Sequence, residues 1–252
     1  MKFKPSDLQY SSDGVPILSA TKLEAIGTEL LEVHAPKVLE RPGITPVMEI
    51  LEKVAARTGL TTAIEELGHK GTSKILGKVS FSKKVLLLDR SLIDERKQSL
   101  RFTAAHELGH WVLHRHREIR SQKQSGPKVE FEEDEKTVCR LETKTSGDWL
   151  EWQANVFAAA VVMPRPTFKG AVIAAQESFG ITKNLGEVWL SDAHYSRKDF
   201  NNVVSHIAHT YDVSKNSVEV RLRTLQILVD EERSSVVSAT KTVADALKNY
   251  VS

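Results

Sequence analysis

The stretch Arg101-Phe102-Thr103-Ala104-Ala105-His106-Glu107-Leu108-Gly109-His110-Trp111-Val112-Leu113-His114 decides how this chain is read. It contains His106-Glu107-x-x-His110. Histidines four residues apart lie about 40° apart around a helix axis, so both imidazoles share one face. Two nitrogens so placed can bind one metal ion. The glutamate after the first histidine then stands beside any water held there, as a general base would. Opposite the histidines the helix carries Ala104, Ala105, Leu108 and Val112, so the histidines are expected to look away from the main apolar stripe, toward a cleft. Gly109 costs a helix interior about 1 kcal/mol relative to alanine, which suggests that something approaches closely there. The bland alternative is a helix with polar residues on a solvated face.

A catalytic zinc needs three protein ligands and an open position. Three residues are candidates for the third. His114 lies one further turn along the helix, but by then the face has drifted about 80° from His106. His116 has the spacing of the longer metzincin motif, which uses a glycine to leave the helix, and Leu113 stands at that place. Glu151 lies in the next strongly helical segment, followed one turn later by Asn155. A carboxylate on so apolar a helix needs a partner, either a metal ion or a cation such as Arg101.

Outward from the motif, periodicity predicts the neighbouring elements. Residues 1–17, with Pro5, Gly14 and Pro16, read as an irregular arm. Leu23, Ile26, Leu30 and Val33 recur at helical steps, with Thr21 and Glu24 placed as a capping box. A second helix is predicted from Pro46 to Arg57, with Thr45 as N-cap and Gly59 as its stop. Residues 61–64, 74–81 and 85–89 read as strands of a small antiparallel sheet beside the motif helix, the run 85–88 being covered on both faces. The motif helix itself spans roughly 95–116. Residues 117–147 are charged and loop-like, a rim to the site or solvated filler. Residues 148–163 form a helix that is apolar nearly all round and therefore buried, ended by Pro164 and Pro166. Another helix is expected over 167–180, and helix again from Phe200. The tail 230–252 carries Val236, Val243, Leu247 and Tyr250 at near-heptad steps, suited to docking on the domain or pairing with another chain.

Bulk composition narrows the function class. The 252 residues are 40% hydrophobic and 27% charged, as in an ordinary globular chain. Thirty-five basic against 33 acidic side chains leave a net charge of +2, which provides no global attraction to nucleic acid or anionic membrane. One cysteine, Cys139, excludes an intrachain disulfide, and nothing marks it as an activated nucleophile. No segment approaches the ~20 apolar residues of a membrane span. A cytoplasmic protein is the expectation.

The two blocks together, Arg101 to His114 (R-F-T-A-A-H-E-L-G-H-W-V-L-H) and Glu151 to Pro164 (E-W-Q-A-N-V-F-A-A-A-V-V-M-P), resemble the ImmA/IrrE family of metallopeptidases. The resemblance is sharp in these blocks and follows the order of elements over roughly residues 20–230. It implies an α+β, zincin-like peptidase domain over residues 18–199. It also implies a zinc ion held by His106, His110 and Glu151, with Glu107 as base and acid. The implied substrate is a helix-turn-helix transcriptional repressor, clipped once. Asn155 is the expected outer support of the site. Two nitrogens and a carboxylate suit Zn2+, and Mn2+ or Fe2+ accept the same set. His194 and Tyr195 are the candidates to stabilise the oxyanion.

Val204 to Leu222 reads as a helix-turn-helix-like module over 200–230, with the turn at Asp212 and Val218 and Leu222 inward. Its second helix offers Lys215 and Arg221 as DNA contacts, or the module simply packs on the peptidase domain. Two rival functions follow. One is a DNA-binding regulator with a structural or sensory metal, and the other a protein that grips a repressor without cutting it.

Overall fold

In the computed structural model, the described residues are 8–12, 14–94, 97–122, 131–134, 146–191 and 194–230. Cys139, most of 117–147 and the tail 231–252, for which expectations are given above, therefore lie outside the described residues. The chain divides into two compact units. One runs to Thr167 and includes Tyr211–Val213, and the other takes Phe168–Thr210 and resumes at Ser214.

The first unit opens with a short bridged arm, in which Tyr10 faces Pro16 and the Ile17 N–H donates to the Gln9 carbonyl. Val15 from this arm is buried against Leu150, with Phe81 alongside. Helix α1 (Ala20–His34) follows. Its N-cap is Ser19, whose hydroxyl accepts from the Lys22 N–H, so the expected cap at Thr21 is two residues late. Ser19 holds the extended backbone that a cap requires. After a 3-10 turn (Pro36–Leu39), helix α2 (Val47–Thr58) begins one residue beyond the expected start. Thr45 does not cap it, because its hydroxyl donates instead to the Val161 carbonyl. Gly59 ends the helix at φ +69°, where a β-carbon would clash with its own backbone.

Strands β1 (Thr61–Glu65), β2 (His69–Lys70), β3 (Ser73–Ser80) and β4 (Val85–Asp89) build the sheet. The sheet is mixed, which corrects the antiparallel expectation. β4 pairs antiparallel with β3 but parallel with β1, because it enters the slot between them. The two-sided covering expected for 85–88 is also corrected: Leu86 and Leu88 are buried, whereas Val85 and Leu87 on the other face are half-exposed. A short helix α3 (Ser91–Asp94) leads to the motif helix α4 (Lys97–Gln122). Part of the charged excursion then returns as β5 (Phe131–Asp134), antiparallel to β3, so it is not loop throughout. Helix α5 (Ser146–Val162) completes the core.

Packing in this unit is layered. The sheet face that carries Gly77, Val79, Leu86 and Leu88 rests on α4. α2 lies against β1 and α4, α5 lies against α4, and α1 lies against α5. Small residues allow the close helix approaches. A β-carbon at Gly27 would lie 2.9 Å from the β-carbon of Ala160.

The second unit contains most of α6 (Arg165–Ser178), strand β6 (Val188–Leu190), most of α7 (His194–Tyr211), α8 (Lys215–Thr224) and β7 (Leu228–Asp230). β6 and β7 pair in parallel. α7 starts six residues before the expected Phe200. Val203, Val204, Ile207, Val218 and Leu222 are buried along α7 and α8. No single helix among the described residues is long and apolar enough to cross a membrane.

Candidate metal centre

Helix α4 is buried all round from Thr103 to His114, the histidines included. His106, Glu107 and His114 are each 0% exposed, which rules out a solvated polar face. The histidines therefore face α5, not an open cleft. Gly109 accounts for the closeness of the two helices. A β-carbon there would lie 2.9 Å from the Phe157 ring and 3.4 Å from the backbone of Ala154.

Across this contact α5 delivers Glu151. Its Oε2 lies 3.1 Å from His106 Nε2, and its Oε1 lies 3.4 Å from His110 Nε2. The two Nε2 atoms are 3.0 Å apart. One ligand atom from each of these three residues falls within 4.8 Å of the others, so the cluster could hold a metal ion. Arg101, the rival partner for Glu151, is engaged elsewhere. Its guanidinium pairs with the Asp212 carboxylate and donates to the Asp212 carbonyl. Asp212 stands at φ +50°, the left-handed position that a glycine would usually take in such a turn.

The electrostatics suit a cation. Burial, with neighbouring His106 adding to it, lowers the His110 pKa below the usual imidazole value despite the Glu151 contact. A neutral imidazole is the form that binds metal. Burial opposes ionisation of Glu151, but its contacts with the His106 and His110 ring nitrogens outweigh that and hold the carboxyl well below its ordinary range. A negative carboxylate thus faces two imidazole nitrogens in a buried setting, and these donors fit a divalent ion.

Around this cluster lie further polar groups. Asn155 Oδ1 lies 3.0 Å from His106 Nδ1. His114 does not point into the cluster. Its Nδ1 lies 3.0 Å from His110 Nδ1, on the side of that ring away from Glu151. His116 is not among the convergent ligands found in the described residues. Glu107 packs under the sheet: a β-carbon at Gly77 would lie 2.5 Å from its Oε1 and 2.7 Å from its Cγ. Sequence reasoning missed Gly77, His114 in this supporting place, and Gln153. A glycine inside a strand was the one available signal, since it often marks a close approach.

The remaining candidates belong to α7 and α8. His194 and Tyr195 begin α7, and their side chains lie outside the described part. Lys215 is exposed on the first turn of α8. Arg221 is fully buried, with its guanidinium 6.0 Å from the centre of the Phe168 ring, so it is withdrawn from any phosphate contact.

The IrrE N-terminal-like domain of the M78 peptidases matches residues 55–223. No curated protein matches the chain. A solved structure of a Mycobacterium tuberculosis transcriptional regulator is similar at 16% identity and a TM-score of 0.47, over 80% of this chain and 46% of that one. The chain thus spans less than half the length of that regulator. The family match takes in α4, α5 and every member of the candidate centre over well more than half of the residues, and on that ground the chain belongs to the ImmA/IrrE family of peptidases.

Proposed function

We propose that this protein is a metal-dependent endopeptidase that makes one cut in a helix-turn-helix transcriptional repressor, acting in the cytoplasm. The supporting observation is the convergence of His106, His110 and Glu151 beside the buried Glu107. His106, His110 and Glu151 would hold the ion, with Zn2+ the best fit and Mn2+ or Fe2+ suited to the same donors. When bound, the ion supplies Lewis acidity to the scissile carbonyl and to the attacking water. Glu107 takes the proton of that water on its carboxylate and passes it to the leaving amine. Gly77 walls this carboxylate from above, which limits the orientations it can take. Asn155 accepts from His106 Nδ1 and steadies that ring.

α7 and α8 act as a helix-turn-helix-like module in this reading, and a protein partner suits it better than DNA. Arg221 is buried, and Arg223 is committed to Glu219 and Asp230, at 2.8 and 2.9 Å. Of the basic residues on α8 that leaves Lys215, a thin basis for gripping a phosphate backbone.

The test is to incubate the purified protein with the helix-turn-helix regulators encoded beside it, with and without chelator, and to look for fragments by mass spectrometry. One chelator-sensitive cut, absent in Glu107→Gln, is expected. General acid–base groups contribute about 10²–10⁴-fold, so the variant loses at least that much. A stable complex with no cut would support the gripping protein instead. Salt-dependent duplex binding lost in Lys215→Ala would support the DNA-binding regulator.

A further inference from the structure

His114 and Gln153 have no part in the chemistry above, yet both are buried beside it. Gln153 Nε2 lies 2.7 Å from the Pro16 carbonyl oxygen. A carbonyl oxygen only accepts, so the group facing it must be the NH2 end of the amide. That settles which way the Gln153 amide points and sets its Oε1 3.1 Å from His114 Nε2. An amide oxygen also only accepts, so His114 carries its proton on Nε2.

His114 is fully buried, and its two ring nitrogens face an amide oxygen and a second imidazole, neither of which is a counter-ion, so the ring is neutral and has one N–H. Its Nδ1 is then a lone pair. That atom lies 3.0 Å from His110 Nδ1. Two lone pairs at that distance repel, so His110 Nδ1 must donate. His110 Nε2 is then the nitrogen that faces His106 Nε2 and Glu151, a set of acceptors that only a shared proton or a bound cation can hold together.

We infer that Gln153 and His114 are positioning residues, forming a relay that runs from the Pro16 carbonyl and locks His110 in the tautomer whose Nε2 can bind a metal. The N-terminal arm is thereby part of the centre, because Pro16 is held by its bridge to Tyr10. This inference rests on the metal-binding reading proposed above. Outer partners of this kind are worth about 10–100-fold in metal affinity.

Two measurements test it. Long-range 15N–1H NMR of the metal-free full-length protein reads the tautomers directly. The expected result is Nδ1–H for His110 and Nε2–H for His114, and a His110 with no proton on Nδ1 would overturn the relay even if zinc bound well. The second measurement is Zn2+ affinity by competition with a chelating dye. His114→Asn keeps a carboxamide oxygen near the place of Nδ1 and should stay within a few-fold of the parent protein. His114→Leu and Gln153→Leu should each weaken binding about 10–100-fold. A role in packing alone would treat Asn no better than Leu, so equal affinities across the variants would overturn the relay. Should His114→Leu fail to fold, Gln153→Leu and the NMR result still decide. Failure of the parent protein to bind Zn2+ would defeat the metal reading, and the NMR result would still judge the relay by itself.

Discussion

The Glu107 carboxylate lies directly under Gly77, so close that a β-carbon on that strand would come within 2.5 Å of Oε1 and 2.9 Å of Cδ. The atoms in the way belong to a flexible side chain, not to backbone. Gly77→Ala should therefore disturb the orientation of Glu107 more than it disturbs the fold. Overpacking of this kind costs about 1–3 kcal/mol in stability. The expected outcome is a kcat lowered by at least about tenfold, the equivalent of ~1.4 kcal/mol in the barrier, with metal content unchanged. Steady-state kinetics beside elemental analysis would check this, and an unaltered kcat would mean that Glu107 need not hold its present orientation.

Glu151 joins α5 to the histidines of α4. Glu151→Ala should lower the metal content of the purified protein and abolish cleavage. Glu151→Gln should retain part of the metal, because the amide oxygen can still donate a lone pair while the charge is lost. Stoichiometry by elemental analysis distinguishes them. Unchanged metal in Glu151→Ala would remove this residue from the centre.

Gly109 sits where α4 meets Phe157 and the backbone of Ala154. Elsewhere in a helix, Gly to Ala stabilises by about 1 kcal/mol. Here the added methyl would lie 2.9 Å from the ring of Phe157, which is fully buried and has little room to turn, so the ring must push the helices apart. Gly109→Ala is expected to destabilise by about 1–3 kcal/mol. The same separation would pull Glu151 from the histidines, so zinc affinity should fall with the melting temperature. A raised melting temperature would show that the helix contact is looser than described.

Asp89 ends β4 and is buried. Its carboxylate accepts from the Ser91 N–H and hydroxyl and from the Leu67 N–H, and it pairs with Lys74 at 3.1 Å. Burial alone would raise its pKa, but these contacts outweigh that and hold it well below the usual carboxylate range. In the folded state the proton is thus bound less readily than in the unfolded chain. The stabilisation is complete above the unfolded value of about 4 and is lost as pH falls through and below it. Asp89→Asn should cost about 2 kcal/mol at neutral pH. The gap in melting temperature between parent and variant should begin to narrow near pH 5 and keep narrowing as the pH falls well below 4, and a gap independent of pH would show that the charge of Asp89 is immaterial.

Local patterns were legible where local physics governs them. Gly59 stops α2 because of backbone sterics at a positive φ, and the apolar run of α5 demanded burial whatever its neighbours were. Caps were read less well. Thr45 and Thr21 both have the right chemistry, but Thr45 bonds to α5 and Ser19 takes the place of Thr21. The parallel pairing of β1 with β4 was not legible, because no short-range signal says which strand will fill the slot between two others.

The sequence by itself determined the two histidines, the glutamate between them and the apolar helix that carries Glu151, since these depend on spacing along one helix and on composition. Only the tertiary structure decided which groups meet. It set Glu151 against His106 and His110, gave Arg101 to Asp212, brought Gly77 over Glu107, buried Arg221 against Phe168 and turned His114 toward Gln153. Those pairings link residues distant in the chain, and they follow from close packing and from the need to satisfy each buried polar atom, which no local spacing records.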